Sequence, residues 1–236
     1  MKIAIIGRTE MLYDTAVAIK EYGFDIACIL TAKEASEYKR TAADFEALAL
    51  LWDIPFAQGG KIIRHLDFLK QYQADIAVSI NYVGVIPQHI IDLFPLGILN
   101  AHGGDLPRYR GNACQAWAIL NGEEKIGLCI HKMIGGELDS GDIITRDYLK
   151  IKHNTNITQV WEWMARQTPI CSTLLGATIY CLGGGIRCDC GCVATLGRSS
   201  SDGRPLQSLS RWGHGQLCLT PIFRIFGVRP TDYIPS

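Results

Sequence analysis

The chain has no surplus of charge of either sign. Its 23 lysines and arginines balance 23 aspartates and glutamates, and the isoelectric point falls near 7.0. That balance excludes the broad basic field with which proteins collect on nucleic acid or an anionic membrane surface. Long apolar runs are also missing. The opening Met1-Lys2-Ile3-Ala4-Ile5-Ile6-Gly7 is far too short for a signal peptide or a membrane span and reads as a first strand. The expectation is a soluble cytoplasmic protein. A dinucleotide-binding chain would next show Gly-x-Gly-x-x-Gly. This one reads Gly7-Arg8-Thr9-Glu10, which removes the main support for NAD. Nine cysteines are present, but without a secretory signal they do not make a disulfide framework. Cys28, Cys114 and Cys129 lie in apolar surroundings and read as small core residues, while the other six fall between Cys171 and Cys218.

What is present is an alternation of strand and helix signals. Residues 3–7 and Ile26 to Leu30 read as buried strands. Between them Thr9 is placed to cap a helix in which Leu12, Ala16, Ile19 and Tyr22 keep helical spacing until Gly23. Lys33 to Arg40 is polar; Lys33, Lys39 and Arg40 read as a solvated loop, with contact to a phosphorylated substrate as the alternative. Thr41 starts a helix that turns Phe45, Leu48, Leu51 and Trp52 to the core. Ile62, Leu66, Leu69 and Tyr72 mark another, and Ala74 to Ile80 is a continuous apolar strand. Pro87 opens a short helix through Leu93, Ile143 to Ile151 alternates as a late strand, and a last helix with Trp161, Met164 and Ala165 runs to about Gln167. This pattern predicts an α/β fold with a mainly parallel sheet covered on both faces. In such a sheet ligands sit beyond the carboxyl ends of the strands.

The chemistry concentrates in residues 99–142. An apolar run, Leu96 to Leu99, delivers Asn100 and His102 to the end of a strand, where two residues apart on extended chain they face the same way. A second run, Ile126 to Ile130, is followed by a glycine-flanked turn that presents Asp139. An amide, an imidazole and a carboxylate reaching one place make an acyl-transfer site. In that reading Asn100 would be the oxyanion donor, His102 the proton acceptor, and Asp139 the group that orients and charges the ring, while on spacing alone Asn-x-His is more often an ordinary strand end. Of the remaining histidines, His65, His89 and His153 have no partner that the pattern names, and His131 reads as structural. Asp142 reads as a residue that bonds backbone in the turn.

Asn100-x-His102, then Leu106-Pro107-x-Tyr109-Arg110-Gly111, then Asp139-Ser140-Gly141-Asp142-Ile143 resembles the signature of the folate-dependent formyltransferases. That family includes the methionyl-tRNA, amino-sugar and glycinamide ribonucleotide enzymes, and the resemblance covers about residues 1–168. It implies a Rossmann-like fold and N10-formyltetrahydrofolate as co-substrate. It implies a pterin slot lined largely by backbone of Val83, Gly84, Val85 and Ile86, and by Gly135, Gly136, Glu137, Leu138 and Asp139. Tyr82 and Ile86 are equally readable as core. For the second substrate it implies Gly104, Asp105, Arg110 and Asn112, although Asn112 also reads as the N-cap of the helix holding Ala116, Trp117, Ile119 and Leu120. One departure is Gly103-Gly104, where relatives carry Pro-Ser or Gly-Ser and so supply a hydroxyl.

The tRNA enzymes carry a second domain and a basic linker, and the purine enzymes usually read Asp-x-Gly-Pro where this chain has Asp139-Ser140-Gly141-Asp142. The resemblance therefore implies a nucleotide-linked 4-amino sugar as partner, with neither nucleic acid nor membrane. The opening Ile-Ile-Gly-Arg-Thr-Glu and Leu-Tyr-Asp-Thr are similar to GDP-perosamine N-formyltransferases, which would serve O-antigen synthesis. The alternatives are an impaired folate- or sugar-nucleotide-binding remnant and a methionyl-tRNA-type enzyme.

Past Pro169 the composition changes. No lysine follows Lys152 and no glutamate follows Glu162, while cysteine, arginine, serine and glycine take over. The expected organisation is a catalytic domain over 1–168 and an atypical tail over 169–236, read as the product of a reading-frame shift. The family's usual continuation of this segment forms the homodimer, so the tail puts that assembly in question. Cys188-Asp189-Cys190-Gly191-Cys192 lacks the Cys-x2–4-Cys pairs of a zinc site, and no metal is expected.

Overall fold

The structure is a computed structural model that describes residues 1–167. The expectations for the tail, its frame shift and its cysteine cluster lie outside the described residues. No helix among the described residues is long and apolar enough to cross a membrane.

Seven strands form one sheet: β1 (Lys2–Gly7), β2 (Asp25–Thr31), β3 (Phe56–Gln58), β4 (Ile76–Ile80), β5 (Ile98–His102), β6 (Lys125–Lys132) and β7 (Ile143–Lys150). Their spatial order is β3-β2-β1-β4-β5-β6-β7. The first five run parallel; β5 with β6 and β6 with β7 are antiparallel. The mainly parallel α/β fold is thus as expected, with the short edge strand β3 as an addition. The helices are α1 (Glu10–Glu21), α2 (Ala42–Leu51), α3 (Leu66–Tyr72), α4 (Gln88–Ile91) and α5 (Cys114–Leu120), with a 3-10 turn over Ile62–His65. Residues 157–167 form a further helix. Asn156 and Gln159 begin it by each accepting the other's backbone N–H, at 3.0 Å both ways.

Alternation along β1 sends Ala4 and Ile6 into a cluster with Leu30, Leu69, Ile86, Ile90, Phe94 and Ile98. Ile3 and Ile5, equally buried, face the other side. Each fully buried Ile or Leu contributes roughly 1.5–3 kcal/mol relative to exposure, so the sheet is a stiff base for the loops at its carboxyl ends.

Three local expectations need correction. Thr9 stands at the N-cap of α1, but its backbone (φ 84°, ψ 161°) is not the extended form from which a cap side chain reaches first-turn amides. Its buried Oγ1 has no partner. Thr41, which is extended, does cap α2: Oγ1 accepts from Asp44 N–H while the Asp44 carboxylate accepts from Thr41 N–H at 2.7 Å. Asn112 does not cap α5, because left-handed Ala113 (φ 56°) takes that position. Finally, Leu51, Trp117 and Leu120 are exposed. The buried faces of α2 and α5 are Ala42, Phe45, Leu48 and Ala49, and Cys114 and Ala118.

Candidate active site

β5 carries Asn100 and His102 to the rim of the sheet, and its antiparallel partner sets Asn100 opposite His131 and His102 opposite Cys129. Directly opposed residues put their side chains on one face, within contact. A register shift between Ile130 and His131 breaks the β6–β7 ladder at that point, and irregularities of this kind re-aim side chains next to functional sites. The chain then turns back through 133–142 to bring Asp139 over β5. Glycine is required at two points of that turn. A Cβ on Gly141 would lie 1.6 Å from the Lys132 carbonyl oxygen, and one on Gly135 2.3 Å from the Gln88 nitrogen. Asp139 itself is left-handed (φ 48°), a conformation that Asp tolerates better than most residues.

Four side chains meet there. His102 Nε2–H donates to the Tyr109 carbonyl at 2.7 Å, and its Nδ1 lies 3.6 Å from Asp139 Oδ2. That same Oδ2 accepts the Gly111 N–H at 2.8 Å. Asp139 Oδ1 lies 3.5 Å from His131 Nε2. His131 Nδ1 lies 3.2 Å from the Lys132 carbonyl oxygen, and its Nε2 lies 3.0 Å from Asn100 Nδ2. The Tyr109 carbonyl oxygen can only accept, and this assigns the hydrogen of a neutral His102 ring to Nε2. His102 and Asp139 are each about nine-tenths buried, and His131 is buried completely.

The charges follow from this packing. Burial pushes the His102 pKa below its ordinary value, and the nearby His131 ring acts the same way. Asp139 and the Tyr109 carbonyl oppose them without reversing the shift. Burial pushes the Asp139 carboxyl upward, but His131, His102 and the Gly111 amide together hold it below the usual carboxylate value. A neutral imidazole thus faces a carboxylate that stays ionised. Such a pair is able to accept a proton and to stabilise the charge that results.

The sequence placed Asn100, His102 and Asp139 together, and His131, read there as structural, is buried beside them. The signal was only a histidine on the neighbouring apolar strand, because pairing with Asn100 depends on a register that sequence does not display. Among the other positions, Val83, Gly84, Val85, Gly136, Glu137 and Leu138 are exposed on their loops. The Ile86 side chain is buried in the core, so only its backbone can meet a ligand. Gln88 Oε1 accepts the Gly135 N–H at 2.8 Å and ties the 82–87 and 133–139 loops together. Beside that tie a cavity of about 470 Å³ is lined by Ile91, Phe94, Met133 and Ile134, with Lys132 and Asp142 at its polar side. None of the four clustered side chains lines it. Gly104 is buried, and Arg110 and Asn112 are exposed. Asp105 accepts from Tyr148 Oη–H at 2.8 Å and lies 3.7 Å from Arg146. Arg40 pairs with Asp44 and stacks on Tyr13 at 4.1 Å, so it does not lie loose on the rim.

A parallel sheet that ends in an antiparallel pair, with amide, imidazole and carboxylate at the seam, is an α/β fold with a cluster of polar side chains at the carboxyl end of β5. The Formyl transferase family pattern matches residues 1–171, and the chain belongs to that family. Its relatives include a methionyl-tRNA formyltransferase of Solibacter usitatus, 29% identical over 165 residues, with 68% of this chain and 53% of the relative covered. Another, from Rhodopseudomonas palustris, is 30% identical, with 70% and 55% covered. The chain thus spans about half the length of these relatives. Among solved structures, a phosphoribosylglycinamide formyltransferase from Bacillus halodurans shares the fold with a TM-score of 0.60 at 20% identity, covering 75% of this chain and 97% of that one. So does WlaRD, described as a sugar 3N-formyl transferase, with a TM-score of 0.57 at 18% identity, covering 78% and 64%.

Proposed function

We propose that the protein transfers a formyl group from N10-formyltetrahydrofolate to the amine of a nucleotide-linked 4-amino sugar, of the GDP-perosamine kind. The observation that carries the reaction is the ionised Asp139 facing the buried, neutral His102 beside the Asn100 amide. The amine attacks the formyl carbon, and Asn100 donates a hydrogen bond to the oxygen as it becomes negative. His102 takes the proton that the nitrogen sheds, Asp139 stabilises the imidazolium, and the ring returns the proton to the departing folate nitrogen. A C–N bond forms and a C–N bond breaks, with no covalent enzyme intermediate. In this reading the pterin lies between the loops that Gln88 ties together, where exposed Val83, Val85 and Leu138 offer apolar edges and Gly84 presents open backbone. Arg110 and Asn112, both exposed, remain free to meet the sugar nucleotide. The Asp105 carboxylate is engaged by Tyr148 and Arg146.

Support for the amino sugar is the motif resemblance, notably Asp139-Ser140-Gly141-Asp142 and the opening Gly7-Arg8-Thr9-Glu10. The names of the methionyl-tRNA relatives favour methionyl-tRNA as a second reading. The test offers the full chain N10-formyltetrahydrofolate with GDP- and dTDP-linked 4-amino sugars, or with methionyl-tRNA. Mass spectrometry reads one added CO, and Asn100→Ala and His102→Ala serve as controls. Formylated tRNA with untouched sugars overturns the acceptor. Folate binding without transfer to any amine overturns the activity and leaves the binding remnant.

A further inference from the structure

His102 is gripped at Nε2 by a backbone carbonyl rather than a side chain, and that carbonyl belongs to a residue fastened down from outside the site. Tyr109 Oη–H donates to Glu123 Oε1 at 2.7 Å and accepts from Asn121 Nδ2–H at 3.1 Å. Arg108 closes the fastening with a forked ion pair, Nη1 to Glu123 Oε2 at 3.0 Å and Nη2 to Oε1, while its guanidinium lies 5.3 Å above the Tyr109 ring. The turn between is held by Arg108 and Tyr109 N–H groups, both donating to the Asp105 carbonyl at 3.0 Å. Gly104 sits directly beneath: a Cβ there would stand 2.6 Å from both His102 Nε2 and the Tyr109 oxygen. Any side chain at this position would enter the path of that hydrogen bond.

We propose that Tyr109, anchored by Glu123, Arg108 and Asn121, is a positioning residue that locks His102 in its Nε2–H tautomer, so that Nδ1, facing Asp139, is the nitrogen that gains and loses the proton. With the carbonyl in place a neutral ring has no other open lone pair. With it withdrawn, either nitrogen carries the hydrogen, and proton transfer at the Asp139 edge loses its geometry. Glu123 reaches the site through Tyr109 and Arg108, so the effect must pass along this chain of contacts. The tautomer lock stands apart from the acceptor reading, since it holds whichever amine is formylated.

The decisive measurement is 15N NMR of the His102 ring in the full chain, wild type against Glu123→Gln and Tyr109→Phe, joined to steady-state kinetics. Wild type should show one tautomer with hydrogen on Nε2, and both variants a mixture. Turnover should fall roughly tenfold, the size of one lost charge-assisted hydrogen bond, with little change in KM. The Tyr109 carbonyl raises the His102 pKa while His131 lowers it. Loosening the carbonyl therefore moves the acid limb of the rate profile to lower pH, as the base must be neutral to act. Gly104→Ala, which strikes the hydrogen bond from the other side, should scramble the tautomer as well. A single Nε2–H tautomer in folded variants overturns the proposal whatever the activity does. A wild-type ring with hydrogen on Nδ1 overturns it outright.

Discussion

Asp139→Asn removes one charge and almost no volume from the centre of the cluster. The carboxylate is nine-tenths buried and lies 3.6 Å from His102 Nδ1. At that separation and an effective dielectric constant of about 20, its attraction for an imidazolium is about 4.6 kcal/mol. Part of this is already offset by burial of the ionised carboxyl and by its sharing with His131 and Gly111. A loss of about 3 kcal/mol from the transition state corresponds to a fall in kcat on the order of a hundredfold. The assay is single-turnover formyl transfer from N10-formyltetrahydrofolate, with urea unfolding to confirm that the variant is native. Asp67→Asn, on α3 and exposed, is the control that keeps full turnover. The pH profile supplies a second readout. Asp139 raises the His102 pKa against burial, so its loss lowers that pKa further and carries the acid limb downward. A folded variant with more than a tenth of wild-type turnover and an unmoved limb would refute the assignment of Asp139 as the partner of His102.

Asn100→Ala should lower kcat by about 10²–10³-fold, equivalent to roughly 2.7–4 kcal/mol, with donor binding nearly unchanged; weakened binding at intact kcat would make Asn100 a ligand contact instead. The wild-type acid limb should have its midpoint below 6.5, because burial lowers the His102 pKa and only the neutral ring accepts a proton. A kcat/KM profile with its midpoint above that value contradicts this. Thr41→Ala should cost about 0.5–2 kcal/mol of stability through the lost cap. Thr9→Gly should stabilise by about 1 kcal/mol, because it relieves a backbone region of left-handed φ and ψ near 160° that glycine alone favours. Urea denaturation reads both, and equal shifts of one sign would defeat the argument.

Most of the fold was readable because its signals are local. Continuous apolar runs gave β1, β2, β4 and β5, and the punctuation by Gly23 and Pro87 bounded helices. What failed depended on backbone angles that composition does not carry. Thr9 and Thr41 are the same residue type at the same nominal position, and only the second is extended. Leu51 and Leu120 belong to helices whose apolar residues outnumber the positions that face the sheet. In the site, Asn100 and His102 were visible as an alternating pair, and Asp139 through its flanking glycines. His131 and the Tyr109 carbonyl were not, since one needs the strand register and the other is a main-chain group without a residue signature.

That register also explains why the antiparallel pair stands at this edge of an otherwise parallel sheet. A parallel neighbour would have brought its own carboxyl end beside Asn100 and carried its chain away into a crossover. An antiparallel β6 brings His131 opposite Asn100 near its own carboxyl end, so that a turn of ten residues from Met133 suffices to return Asp139 to both histidines. The cost is sensitivity to pairing. A slip of one residue would set Ile130 opposite Asn100 and send the His131 ring to the other face. The irregularity between Ile130 and His131 takes up the mismatch with β7, which lets that outer strand stay paired while the inner pair holds the alignment on which all four side chains depend.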